Sequence, residues 1–244
     1  MIRRIICALY CVISLCSFSG AALGQEVEIY IPSQHTAAPE SEETNNILAR
    51  CLATGLKEYC VGISFGENGA TFESNGISEI TLETFVIDLS DESETTKPKV
   101  TVKNDEDGDT GQNTGSIDIK SAGIEIEFDF NSHKLRADQL DKVSVLAAAF
   151  ADDINAGKLY AIVGHTDGKG SDSYNCKLSA KRAATITSAL LVGGAKAYLQ
   201  PIGVGEVLLK DAANPANAQN RRVSFLKLDD NAETVINAFK ALCD

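Results

Sequence analysis

Apolar positions along the chain follow two periods, and the changes between them mark out the elements. In "SEETNNILARCLATGLKEYC", Ile47, Leu48, Cys51, Leu52, Gly55 and Leu56 recur at helical spacing. Glu42, Glu43 and Thr44 suit the start of such a helix. Strand-like runs follow in "CVGISF", "EITLETFVIDL" and "PKVTVKN", with turn signals at Gly66-Glu67-Asn68-Gly69 and Asn75-Gly76. This half reads as a small α+β unit. Farther on, "SIDIKSAGIEIEFDF" alternates on both sides of Ser121-Ala122-Gly123, and the first main strand is expected from Ile124 to Phe130. Leu140, Val143, Ala147, Phe150 and Ile154 then give a helix with one apolar face. "KLYAIVG" is a short buried strand, and "SYNCKLSAKRAATITSALL" a helix whose alanines allow close approach. "AYLQPIGVG" and "RRVSFLKL" are strands, and "AETVINAFKALC" a last helix held by Val235, Phe239 and Leu242. The order β-α-β-α-β-β-α predicts an α+β fold, with helices packed on a mixed sheet.

Charge divides the chain. Residues 25–115 carry 5 bases and 18 acids, whereas residues 116–244 carry 15 and 16. The asymmetry suggests two units, and the acidic half disfavours nucleic acid as a partner. "KNDEDGDTGQNTG", Lys103 to Gly115, reads as the joining loop. Asp105, Asp107 and Asp109 have calcium-loop spacing, but Thr110 stands where the glycine belongs and Ser116 where the closing glutamate belongs.

The first 24 residues have the order of a secretory signal peptide: Arg3 and Arg4, an apolar run from Ile5 to about Phe18, then small residues to Gly24. An uncleaved anchor is the alternative. No later segment has the length and apolarity of a spanning helix, so an extracytoplasmic chain without a direct membrane span is expected. Its cysteines are then Cys51, Cys60, Cys176 and Cys243. Their even number suggests two disulfides in one of three pairings. Zinc is disfavoured, because there is no CxxC pair and His35, His133 and His165 are scattered.

The candidate chemistry lies in "GHTDGKGSDSYNCKLSAKRAA", residues 164–184. Gly168 and Gly170 leave the backbone of a turn open around Thr166 and Asp167. On the next helix Asn175, Ser179 and Arg182 share a face, with Leu178, Ile186 and Leu190 expected towards the other side. Asp167 and Arg182 either pair with each other or form a clamp for a zwitterion. The histidine is expected to shape the turn. A hydrolase would need paired carboxylates, a metal cluster or a G-x-S-x-G serine, so an enzyme is not expected, nor is a cofactor.

The pattern Thr166-Asp167, Gly170, Tyr174-Asn175, Leu178-Ser179 and Arg182-Ala183 resembles the signature of the OmpA-like peptidoglycan-binding domain. "FDFNSHKL", "GVGE" and "NPANAQNRRVSF" resemble further parts of its layout, over about residues 124–228. The resemblance implies non-catalytic binding of peptidoglycan, with Asp167 and Arg182 gripping the ammonium and carboxylate of diaminopimelate in the stem peptide. It places Asn175, Thr166, Phe128 and Asn131 around the ligand. Of Arg221 and Arg222 one braces the site, Arg222 being the expected one. The organisation expected is a signal peptide at 1–24, an acidic α+β region at 25–103, a linker at 104–115 and the OmpA-like domain at 116–244. The location expected is the periplasm, on the cell wall and close to the outer membrane. The alternative is an envelope-complex or sensor protein whose N-terminal half binds a protein partner, the C-terminal domain being only a wall anchor.

Overall fold

The computed structural model describes residues 41–66, 69–72, 79–90, 99–104, 115–129 and 131–244. The segment expected to be a signal peptide and the Asp105/Asp107/Asp109 run lie outside these residues. Helix α1 (Ser41–Thr54) breaks at Gly55, whose φ of 63° is left-handed, and a single turn α2 (Lys57–Cys60) follows. A disulfide joins Cys51 to Cys60 across that break. Strands β1 (Ile63–Gly66) and β2 (Gly69–Phe72) form a hairpin.

The main sheet contains β3 (Ile80–Asp88), β4 (Lys99–Asn104), β5 (Ser116–Ile124), β6 (Leu159–Gly164), β7 (Tyr198–Gly203) and β8 (Val223–Leu228). Their order is β4-β3-β5-β8-β6-β7, antiparallel throughout except for the parallel β6–β7 pair. Helices α3 (Leu140–Ala151), α4 (Asp172–Val192) and α5 (Ala232–Ala241) complete the expected order. The sheet is mixed, as the pattern predicted.

Two expectations change. The first main strand is β5, Ser116–Ile124, not Ile124–Phe130. Ser121, Ala122 and Gly123 do not interrupt it, because β3 and β8 pair with them from opposite sides. Beyond it, Phe128 makes only an isolated bridge to Leu135. The second change concerns organisation. The charge boundary near residue 115 is not a structural one, since β3 pairs with β5 over nine residues, from Ile80↔Ile124 to Asp88↔Ser116. Leu48 and Leu52 of α1 also share one core with Leu146, Phe150, Tyr160, Ile186 and Phe225. Charge records surface composition, whereas strand pairing follows the apolar alternation underneath.

Strand β6 explains why its run is apolar throughout. Tyr160 and Ile162 face the α1/α3/α4 core, while Ala161 and Val163 face a second core with Phe85, Ile87, Leu226, Val235 and Phe239. Glu83 shares the parity of Phe85 and Ile87 yet is 1% exposed, a carboxylate at a core position.

Candidate functional site

The loop from Gly164 to Ser171 and helix α4 build the site. Gly164 and Gly203 let the helix approach the sheet: a Cβ on Gly164 would lie 2.3 Å from the Ser179 carbonyl oxygen, and one on Gly203 2.2 Å from the Ala180 nitrogen. Ser171 caps α4, its hydroxyl accepting from the Tyr174 amide at 3.4 Å. Gly170 precedes it at φ 117°.

The polar stripe of α4 is buried rather than opposed to an apolar face. Asn175, Ser179 and Arg182 are 1%, 0% and 6% exposed, and they continue the buried line of Ile186 and Leu190. Leu178 is a half-buried flank. The Ser179 hydroxyl accepts from the Gly205 amide at 2.9 Å, and the Gly205 carbonyl accepts from the Thr166 amide at 2.9 Å. Thr166 therefore acts through its backbone; its buried hydroxyl makes no hydrogen bond among the described residues. The Asn175 amide donates to the carbonyls of Lys169 (3.0 Å) and Asp167 (3.4 Å) and to the Glu206 carboxylate. It fastens the loop, and Glu206, at the end of "GVGE", is a positioning partner that spacing alone did not single out.

Asp167 and Arg182 do not pair with each other. Asp167 meets Arg221 at 2.8 Å, with side chains 14% and 42% exposed respectively. The Arg182 Nε donates to the Ser132 carbonyl at 3.1 Å, and its guanidinium lies over the Phe128 ring, 4.8 Å from the centroid. Its two terminal nitrogens make no hydrogen bond among the described residues, which leaves the fork available. Burial draws Arg182 below the ordinary arginine range; the Arg221 charge adds to this and the Asp167 charge opposes it. Asn131, at φ 55°, accepts from the Tyr174 hydroxyl and bridges the Phe128 loop to α4. Tyr174, 41% exposed, is thus a bridge and not a core residue. The second disulfide, Cys176–Cys243, ties α4 to the residues after α5. It lies against Gly205, whose added Cβ would stand 3.3 Å from the Cys176 sulfur.

The expectation for Arg222 is corrected. Neighbours on an extended segment face opposite sides, so Arg221 reaches Asp167 while Arg222 turns into the core. Its Nε stands 2.7 Å from Glu83 Oε1, with side chains 3% and 0% exposed, and its Nη2 donates to Glu83 Oε2 at 3.1 Å. Ser224 donates to the same carboxylate at 3.3 Å and lies 3.1 Å from Nε2 of His165. His165 is 2% exposed and stacks on Phe85. Burial first, and then the Arg222 charge, hold it well below the ordinary histidine range, against a main-chain hydrogen bond at Leu208.

Comparison with known proteins bears on this geometry. Residues 127–222 match the OmpA family, and Asp167, α4, Arg221 and Arg222 lie within the matched residues. The chain is 34% identical over 106 residues to a putative lipoprotein YfiB of Escherichia coli, covering 41% of this chain and 64% of that one. It is 31% identical over 103 residues to outer membrane porin F of Pseudomonas fluorescens, covering 41% of this chain and 31% of that one. The chain thus spans less than two thirds of either relative. Among solved structures, the peptidoglycan-associated lipoprotein of Burkholderia pseudomallei matches at 29% identity and TM-score 0.34, over 42% of this chain and 88% of that one. The cell wall anchor of the T6SS from Pseudomonas aeruginosa matches at 20% identity and TM-score 0.37, over 46% and 82%. No helix among the described residues is long and apolar enough to cross a membrane.

Proposed function

We propose that the chain binds peptidoglycan without catalysis, taking the zwitterionic end of diaminopimelate between Asp167 and Arg182. OmpA-like domains bind peptidoglycan and anchor envelope proteins. The observation that carries the finer reading is the state of Arg182: braced by Ser132 and Phe128, with its two terminal nitrogens unengaged among the described residues and Asp167 near enough to act on its charge. A carboxylate takes that fork in two parallel bonds, and the neighbouring ammonium takes Asp167. Asp167, Arg182 and Arg221 together carry one excess positive charge, which suits a ligand with a further carboxylate. A lysine side chain offers the ammonium alone and leaves the fork unfilled.

Periplasmic, wall-associated placement belongs to the same reading, and the two disulfides favour an oxidising compartment. A protein partner for the N-terminal half is compatible with it.

Calorimetry with a soluble diaminopimelate-containing wall fragment tests the clamp. Asp167→Ala and Arg182→Lys, each with an unchanged circular dichroism spectrum, are expected to weaken binding about tenfold or more, and a lysine-type fragment is expected to be rejected. Equal affinity for both fragments would remove the diaminopimelate reading. No binding by the oxidised wild type would remove the wall reading itself.

A further inference from the structure

A second polar cleft, of about 480 Å³, lies between the start of β3, the end of β5, the first turn of α3 and the loop before β8. That volume falls within the range of small-ligand sites. Glu79, Thr81 and Glu125, on its wall, precede the OmpA-family segment, so the cleft owes one side to the strands this chain adds. Most of its charges are already matched. Lys142 meets Glu79 at 2.7 Å, Glu127 meets Arg136 at 2.7 Å, and Arg222 meets Glu83 behind the floor.

Two charges remain. The half-buried Lys210 ammonium has one partner among the described residues, the neutral hydroxyl of Thr81 at 2.9 Å. Burial draws it below the ordinary lysine range, while Glu83 and Glu125 act on it without pairing. The Glu125 side chain has no ion pair or hydrogen bond among the described residues; only its carbonyl is engaged, by Lys142 at 3.2 Å.

We propose that this cleft is a second ligand site, for a short zwitterionic peptide whose free carboxylate is taken by Lys210 and whose ammonium is taken by Glu125. A simple anion would satisfy Lys210 but face the repulsion of Glu125, and a simple cation would meet Lys210. A zwitterion answers both, and a peptide of a few residues fills the volume better than a single amino acid. The site shares no residue with the Asp167–Arg182 clamp and does not depend on the wall-binding reading.

The probe is trialanine, followed by amide chemical shifts on the full chain. Saturable shifts are expected at Thr81, Glu125 and Lys210. Trialanine amide, lacking the carboxylate, should bind about tenfold or more weakly, as should N-acetyl-trialanine, lacking the ammonium. Lys210→Met and Glu125→Gln should each reproduce one of those losses in a spectrum that is otherwise native, and Lys210→Arg should retain binding. A soluble stem peptide given to Asp167→Ala then distinguishes sources: shifts at the cleft assign it to the wall, and their absence to free peptides. Absence of saturable shifts with trialanine, or binding indifferent to both end-blocking and Lys210→Met, overturns the proposal.

Discussion

Removing the carboxylate of Glu83 is the sharpest test of how the two halves of the chain depend on each other. In Glu83→Gln the Arg222 guanidinium keeps its place, 4% exposed, but it loses its counter-charge, and one of the contacts at 2.7 and 3.1 Å then faces an amide NH2 instead of an acceptor. What remains to it is one neutral amide oxygen and the Leu208 carbonyl, 3.4 Å from both terminal nitrogens, with His165 and its ring nearby. A charge left without its partner at such depth costs about 3–5 kcal/mol. At roughly 2–4 °C per kcal/mol for a domain of this size, melting should fall by about 6–20 °C. Urea unfolding with the disulfides intact gives the free energy. The paired variant Glu83→Leu/Arg222→Met removes both charges and should recover most of the loss, because the pair's own net worth is small once desolvation is counted. A cost for Glu83→Gln below about 1 kcal/mol, the ordinary worth of an exposed pair, would mean that water reaches Arg222 and that β3 is not integral to the domain.

Other outcomes follow from the same structure. Gly164→Ala places a Cβ 2.3 Å from the Ser179 carbonyl oxygen, so α4 must shift; a loss of about 1–3 kcal/mol in urea unfolding, with weakened wall binding, is expected. His165 has its folded pKa depressed below the ordinary 6.5, so the neutral imidazole stabilises the fold above that pH. The contribution is lost as pH falls below 6.5, by up to about 1.4 kcal/mol per pH unit. Urea midpoints between pH 7.5 and 5.5 should therefore drop in wild type and much less in His165→Gln. Replacing Cys176 and Cys243 together by Ser opens a bridge spanning 67 positions and should cost about 2–4 kcal/mol in thermal unfolding.

Periodicity carried the C-terminal elements because each packs against its sequence neighbours. Val143, Phe150, Ile186 and Val235 lie in the cores their spacing implied. Strand β5 was misread because Ser121, Ala122 and Gly123 resemble a turn when nothing says that β3 covers them. At Gly123 the absent side chain admits Glu83, whose carboxylate lies 3.3 Å from a would-be Cβ. The residues proposed as the clamp were legible as types, since Asp167, Asn175 and Arg182 come from one contiguous stretch. Its braces were not: Ser132, Glu206 and Arg221 arrive from three separate loops, and spacing holds no information on which of two adjacent arginines turns inward.

That last choice links the N-terminal strand to the clamp. Arg222 is fixed by Glu83 of β3, and a fixed Arg222 leaves its neighbour Arg221 on the opposite side, within 2.8 Å of Asp167. The main chain joins the two ends as well, since the Arg222 carbonyl accepts from the His165 amide at 3.0 Å, two residues before Asp167. A carboxylate from outside the OmpA-family segment thus fixes Arg222, the neighbour of the arginine that meets Asp167. The acidic half is therefore not a passenger on a self-sufficient C-terminal domain. Cutting the chain near residue 115, a natural way to separate anchor from effector on charge alone, would remove Glu83 and expose the β5 edge. The C-terminal piece is expected to lose wall affinity and stability together, and a fragment that kept both would show that Arg221 holds its place without the strand.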